Sequence, residues 1–245
     1  MHLNIRITGA NQIGLYTGAT LLTSYTHTSS FAGNWFYFEM SGTIADAGGT
    51  CTVKIDGVQV ISFTGDTKNA GTSTNIDAVR LSGSNIGGVY VDDVYVLNST
   101  GSAPYNTFLG DVRINTLIPT AAGSDTGFSS SAGANYTTVD ELPYSATDYV
   151  SATASGTRDL YTMGDITGSY SVLAVQNNLI AKKTDAGGTA IKSAIKSGGT
   201  IYYGSNATLT ANDALISDLR ITDPATATTW TTSGVNALEA GMEIA

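Results

Sequence analysis

A single cysteine, Cys51, cannot close an intramolecular disulfide, so nothing in this chain is stapled by oxidation. Histidine is almost as scarce: His2 and His27 both fall before residue 30, one nearly terminal and one inside the Thr/Ser run of residues 25–29. Nucleophilic catalysis of the Ser-His-acid kind needs an imidazole held by a partner, and neither histidine has a recognisable one, nor is there a nucleophile elbow. Charge is sparse at 13% of residues, with 11 basic against 20 acidic side chains and a net charge of −9, so a nucleic-acid backbone would be repelled. No apolar run approaches the roughly 18 residues of a membrane span. The opening residues MHLNIRIT have neither the basic nor the apolar region of a secretory signal, which predicts a soluble chain without a Sec-type address.

What is abundant is small: 28 Gly, 36 Thr and 24 Ser make up 88 of the 245 positions. Hydrophobic residues nonetheless reach 42% and 13 Tyr are spread along the chain, too much apolar material for disorder and enough for one or two cores. Apolar and small polar residues alternate at period two in short runs bounded by Gly, Asn, Asp or Ser, which predicts antiparallel strands with one buried face. The expected fold is therefore all-β, an antiparallel β-sandwich built as two domains, with a short C-terminal helix at residues 235–244.

The clearest element is a hairpin over residues 49–63, with Asp56-Gly57 at its centre suited to a type I′ turn. Before it, residues 34–40 read as a strand with aromatics on both faces, Trp35, Phe36, Tyr37 and Phe38, which should be covered on both sides or lie at a subunit contact. Residues 87–97 read as another strand, and the Gly, Ser and Pro loop that follows marks a boundary between domains at residues 1–103 and 104–245. In the second half, strands are expected at residues 108–117, 148–150, 159–163, 170–181, 189–195, 200–203 and 214–221. Residues 120–135, almost without apolar content, read as a functional or partner-ordered loop. A Gly-Gly-Thr triplet recurs at 48–50, 187–189 and 198–200 as shared turn chemistry, not as a repeat.

Few residues offer chemistry. Cys51 alternates with Val53 and Ile55 onto one face of the hairpin, the pattern of a small buried hydrophobe, and no cation nearby would favour a thiolate. Glutamate occurs only at 39, 141, 239 and 243, and Asp92 and Asp93, adjacent on a strand, point to opposite faces and cannot act together on one glycosidic bond. Asp92 or Asp93 with the loops of Asp66 and Asp77 could instead gather oxygen ligands for calcium, although no EF-hand spacing is present; hydrogen-bonded structural aspartates are the alternative. Four of the six lysines, Lys182, Lys183, Lys192 and Lys196, cluster in an otherwise acidic chain. They read either as a docking surface for an acidic neighbour or as an edge hairpin protected by lysine against aggregation. Tyr16, Tyr25, Tyr136, Tyr144 and Tyr203 are candidates for a sugar-stacking platform.

The runs Trp35-Phe-Tyr-Phe-Glu, Cys51-Thr-Val-Lys-Ile-Asp-Gly-Val, Gly65-Asp-Thr and Val89-Tyr-Val-Asp-Asp-Val-Tyr-Val resemble the C-terminal half of a concanavalin A-like (laminin G-like) jelly roll. Further motifs continue the likeness: Leu109-Gly-Asp-Val-Arg-Ile, Leu117-Ile-Pro, Val139-Asp-Glu, Asp148-Tyr-Val, Ala174-Val-Gln, Asp223-Pro, Thr229-Trp-Thr and Val235-Asn-Ala. In this order they are similar to a group of tailed-bacteriophage virion proteins in which a lectin-like domain precedes a second β-domain. The likeness spans about residues 35–245. It implies a structural protein on the virion surface, assembled in the host cytoplasm, as capsid decoration or tail component. The Glu-x-Asp-x-x-Glu array of the superfamily's glucanases is absent, so hydrolytic activity is not implied and no catalytic residue is assigned. A full jelly roll also needs more than the thirty-four residues that precede Trp35, so the chain is expected to begin inside that domain. The resulting open face would be closed by another copy or another virion protein, with Trp35, Phe36, Tyr37 and Phe38 unusually buried. A carbohydrate-binding adhesion module, with or without calcium, is the rival expectation.

Overall fold

The structure is a computed structural model that describes residues 2–82, 88–98, 100–185 and 189–245. The chain divides into two compact units, Met1–Ile114 and Asn115–Ala245, so the division falls beyond the expected boundary at residue 103. Both are all-β, with antiparallel sheets throughout and one short α-helix near the C-terminus.

The first unit holds two three-stranded meanders. One contains β1 (Leu3–Gly9), β2 (Gln12–Thr17) and β3 (Thr20–Thr26); the other contains β4 (Phe38–Thr43), β5 (Gly49–Ile55) and β6 (Val58–Gly65). Each middle strand buries one face. Ile13 and Leu15 of β2 pack with Cys51, Val53 and Ile55 of β5 and Ile61 of β6, each burial stabilising by about 1.5–3 kcal/mol for the larger aliphatics. The β5–β6 hairpin turns at Asp56 and Gly57 with φ of 49° and 78°, the left-handed pair a type I′ turn requires. Gly49 opens β5 because any Cβ there would lie 2.0 Å from the hydroxyl of Thr67. That buried hydroxyl donates to the Thr43 carbonyl (2.7 Å) and accepts from the Ala45 amide (3.0 Å).

The second unit is built on a six-stranded sheet. In chain order its strands are β7 (Pro119–Thr126), β8 (Ser129–Ser130), β9 (Val150–Ser151), β10 (Arg158–Met163), β11 (Val175–Ala181), β12 (Ala190–Ser197), β13 (Thr200–Tyr203), β14 (Ala207–Thr208) and β15 (Ala214–Arg220). Helix α1 (Thr232–Asn236) and β16 (Glu239–Ile244) complete the chain. The large sheet runs β13-β12-β16-β10-β7, with β14 also on β12; β11 and β15 form a separate pair, as do β8 and β9. Leu179 of β11 and Ile216 of β15 cover a core of Phe128, Tyr161, Ile191, Leu209, Met242 and Ile244. Asn177 of β11 donates to both Ser193 Oγ and the Gly241 carbonyl at 2.9 Å, tying the pair to the sheet beneath.

Several expected elements are displaced. Of residues 235–244, expected as helix, only the start is helical, capped by the Thr231 hydroxyl accepting from the Gly234 amide at 3.0 Å. The rest is β16, the centre of the large sheet, because Ala240, Met242 and Ile244 alternate with Glu239, Gly241 and Glu243 at period two. Residues 120–135, expected as a loop, contain edge strand β7, which needs ladder bonds to β10 but little apolar content. Residues 88–97 and 108–117 carry strand-like alternation yet join no ladder among the described residues. Residue 87, and Gly187 and Gly188 of the Gly-Gly-Thr series, lie outside the described residues. Residues 34–37 are not strand; β4 begins at Phe38. No helix among the described residues is long and apolar enough to cross a membrane.

Candidate functional site

The densest set of charged side chains lies on the face of the large sheet opposite to Met242 and Ile244. The register sets Arg158 of β10 and Lys192 of β12 on either side of Glu243, and Lys196 of β12 beside Glu239. Strand pairing thus brings opposite charges into cross-strand rows. Arg158 reaches Glu243 at 2.9 Å and Asp125 of β7 at 3.0 Å; Lys192 reaches Glu243 at 2.7 Å and Lys196 reaches Glu239 at 3.0 Å. The Tyr203 hydroxyl donates to Glu243, and the Lys192 ammonium stands 4.2 Å from the Tyr203 ring centroid. Glu239 also accepts from the Ser124 amide (2.7 Å) and hydroxyl (2.6 Å).

The electrostatics keep these groups charged. Burial pushes the Glu239 carboxyl up, but donors from Ser124 and Lys196 outweigh it and hold the group below its ordinary value. Burial likewise raises Glu243, and is overcome by Lys192, Tyr203 and Arg158. The hydrogen bond to Asp125 drives the Arg158 guanidinium further toward its charged form. Glycoside hydrolysis needs one carboxyl held neutral as an acid, and both glutamates here are held as anions. Four residues along a strand also separate them by roughly 13 Å, beyond the roughly 5–10 Å that such chemistry uses. With cations and carboxylates matched, the face is a brace across five strands.

This geometry corrects the reading of the lysines. The β12–β13 hairpin does lie at the edge of the large sheet, but Lys192 and Lys196 stand on its inner strand, β12, and pair with Glu243 and Glu239 within the unit, so they form no free positive patch. Lys182 pairs with Asp213 at 3.1 Å, and the Lys183 amide donates to the Thr210 carbonyl at 2.9 Å.

The calcium candidates are not brought together. Asp66 accepts from the Lys68 amide (2.9 Å), Asp92 from the Asp93 amide (2.8 Å) and Asp93 from the Ile114 amide (2.7 Å), the hydrogen-bonded structural alternative. No group of three or more His, Cys, Asp or Glu suited to a metal occurs among the described residues. The aromatic segment is also corrected: Trp35 is 72% and Phe38 42% exposed, while Tyr37 is half-buried. Phe36 packs toward the core, edge-on to Phe31 and His27 at 5.1 Å in both cases. His27 is a member of that aromatic cluster, and the His2 ring bonds the Lys68 carbonyl. Cys51 is buried as expected, and burial pushes its thiol up to about 11.

Each of the five tyrosines is engaged within its own unit. Tyr16 lies under Arg6 and Tyr25 packs on the core in the first unit; in the second, Tyr136 packs on the core, Tyr144 bonds Asp213 and Tyr203 belongs to the charged face. A groove of about 560 Å³ beside Trp230 and Tyr170 has its polar groups engaged internally. Asn236 bonds both the amide and the carbonyl of Ile166 (2.9 and 3.1 Å), and the Thr232 hydroxyl accepts from the Tyr170 amide (3.2 Å).

Two buried carboxylates escaped the sequence reading as structural anchors. Asp159 accepts from Asn135 and from the Tyr161 hydroxyl, both at 2.7 Å, fixing the 3₁₀ turn Asn135–Thr138 to the sheet. Glu39 accepts from the Tyr95 hydroxyl and from the Gly110 amide at 3.0 Å, and burial and that carboxylate push the Tyr95 hydroxyl well above the ordinary tyrosine range. The signal for Asp159 was its parity, opposite to Arg158 on one strand. Glu39 had no local signal, because its partners lie 56 and 71 residues away. Comparison with known proteins finds no matching family model, no matching curated protein and no matching solved structure.

Proposed function

We propose that this chain is a non-enzymatic structural subunit that works by packing against copies of itself or other proteins of a particle, the particle being a tailed-phage virion and the position capsid decoration or tail. The phage assignment rests on the motif order of residues 35–245. The packing role rests on one observation, the large side chains left exposed in the first unit, Ile76, Val79, Leu81, Val89, Tyr90, Val91 and Val96 each being at least 50% exposed. The sheet face with matched charges, which holds neither a neutral acid nor a free base, suits a permanent coat.

Light scattering behind size exclusion on the full chain tests this reading. A defined oligomer or larger assembly is the expected result. A monomer at every concentration would overturn it, and glycan binding by that monomer, screened with and without calcium, would establish an adhesion module in its place.

A further inference from the structure

We infer that the second unit holds a binding site for a neutral saccharide, built around the ring of Tyr170. Tyr170 is 57% exposed and stands between two clefts that share it and Ile166, one of about 560 Å³ and one of about 190 Å³. Ligand sites of roughly 300–1,000 Å³ combine an apolar or aromatic surface with a few placed polar groups. Both parts are present here.

The ring is fixed in advance. Residues 165–170 belong to no strand, yet two side chains from α1 hold them. Asn236 bonds both main-chain groups of Ile166 (2.9 and 3.1 Å), and the Thr232 hydroxyl accepts from the Tyr170 amide (3.2 Å). Gly168, at a φ of 110°, lets the ring lie against the loop, since a Cβ there would meet Cε2 of Tyr170 at 3.1 Å. The ring thus rests on Gly168 while more than half of the residue stays open. Holding a binding group in place before the ligand arrives lowers the ordering cost of association.

The polar groups around the ring select the ligand. In the larger cleft, Asn236 and Thr232 are taken up in holding the loop. In the smaller, the side chains of Asn115, Thr116, Asp165 and Thr167 make no hydrogen bond or ion pair among the described residues, and neither does the Tyr170 hydroxyl. No lysine or arginine lines either cleft, so a phosphate, a carboxylate or a nucleic acid would meet Asp165 without a counter-charge. Hydroxyl, amide and carboxylate groups together donate to hydroxyls and accept from them. A sugar ring offers hydroxyls at its rim and C–H groups on its face, the rim matching the four free side chains and the face matching the Tyr170 ring. This site lies in the second unit and does not depend on the packing role, which rests on the first.

Isothermal titration calorimetry on the full chain tests the site, with maltotetraose, cellotetraose, chitotetraose and mannotetraose as probes. Wild type is expected to bind at least one of them with a dissociation constant of about 1 mM or tighter. Tyr170→Ala should weaken that binding by about tenfold or more, Asp165→Asn should weaken it severalfold, and Tyr170→Trp should retain it. Tyr170→Ala should leave the assembly state seen by light scattering unchanged, which separates this site from the packing surface. If Tyr170→Ala loses its fold, nitration of wild-type Tyr170 replaces it: the bound probe should slow the reaction, and an unchanged rate would contradict the assignment. No binding of any probe at about 10 mM, or equal binding by wild type and Tyr170→Ala, would overturn the site. Choline is the competing probe, since a carboxylate beside an aromatic ring also suits a cation. Tighter binding of choline than of every saccharide would overturn the neutral ligand.

Discussion

The two units solve the same problem differently. In the second, β16 at the centre of the sheet turns Ala240, Met242 and Ile244 to a covered core and Glu239 and Glu243 to cations on both neighbouring strands. In the first, β2 and β5 close a core of their own, but residues 76–82 and 88–98 leave aliphatic side chains and open backbone outside it. Apolar side chains stay exposed in both units, Leu142, Leu215 and Leu219 of the second being 68%, 66% and 60% exposed. What separates the two stretches is a paired neighbour: β16 is paired on both sides, whereas residues 88–98 join no ladder and their alternation breaks at Asp93, which has a φ of 52°.

The largest effect should come from Gly241→Ala. Any Cβ there meets the Asp159 carbonyl oxygen at 2.0 Å, backbone against backbone in the middle of the sheet. A loss of about 3 kcal/mol or more from the second unit is expected in chemical denaturation; an unchanged midpoint would mean that β16 is not central.

Glu243→Gln tests the brace. It leaves Arg158 and Lys192 beside one another without their shared carboxylate, which is 10% exposed, and should lower stability by about 1–3 kcal/mol. The pH dependence follows from the same groups. Glu239 and Glu243 have folded pKa values below the ordinary 4.5, so their contribution is complete above about pH 4.5 and lost as pH falls through the depressed folded values. Glu243→Gln should therefore flatten the acid limb of a stability–pH curve, and an identical limb would show that the brace does not couple protonation to folding. The smallest effect should come from Val94→Lys/Val96→Lys, within about 0.5 kcal/mol in the dissociated chain. A larger loss would show that these valines stabilise the first unit itself and would erase the contrast.

Much of the fold can be read locally. Asp56-Gly57 announces its hairpin, and the parity of Lys192 and Lys196 against Ile191, Ser193 and Ile195 correctly separates the two faces of β12. What cannot be read is which strands become neighbours. The lysines read as an exposed patch while the position of their partners Glu239 and Glu243 is unknown; the alternation of Glu239, Gly241 and Glu243 marks β16 as a strand, but a ten-residue stretch supports both periods until its neighbours are known. Residues 3–26 carry a three-stranded sheet in which Gly9 and Gly14 interrupt the apolar alternation. The burial of Glu39 depends on partners distant in sequence, beyond the reach of any local pattern.

The most direct test of the contrast is hydrogen exchange on the full chain at two concentrations, one below and one above the onset of assembly. The amides of residues 88–98 should be unprotected when dilute and gain protection on assembly, while those of β16 remain protected in both. Free exchange of residues 88–98 within a demonstrated oligomer would contradict the account.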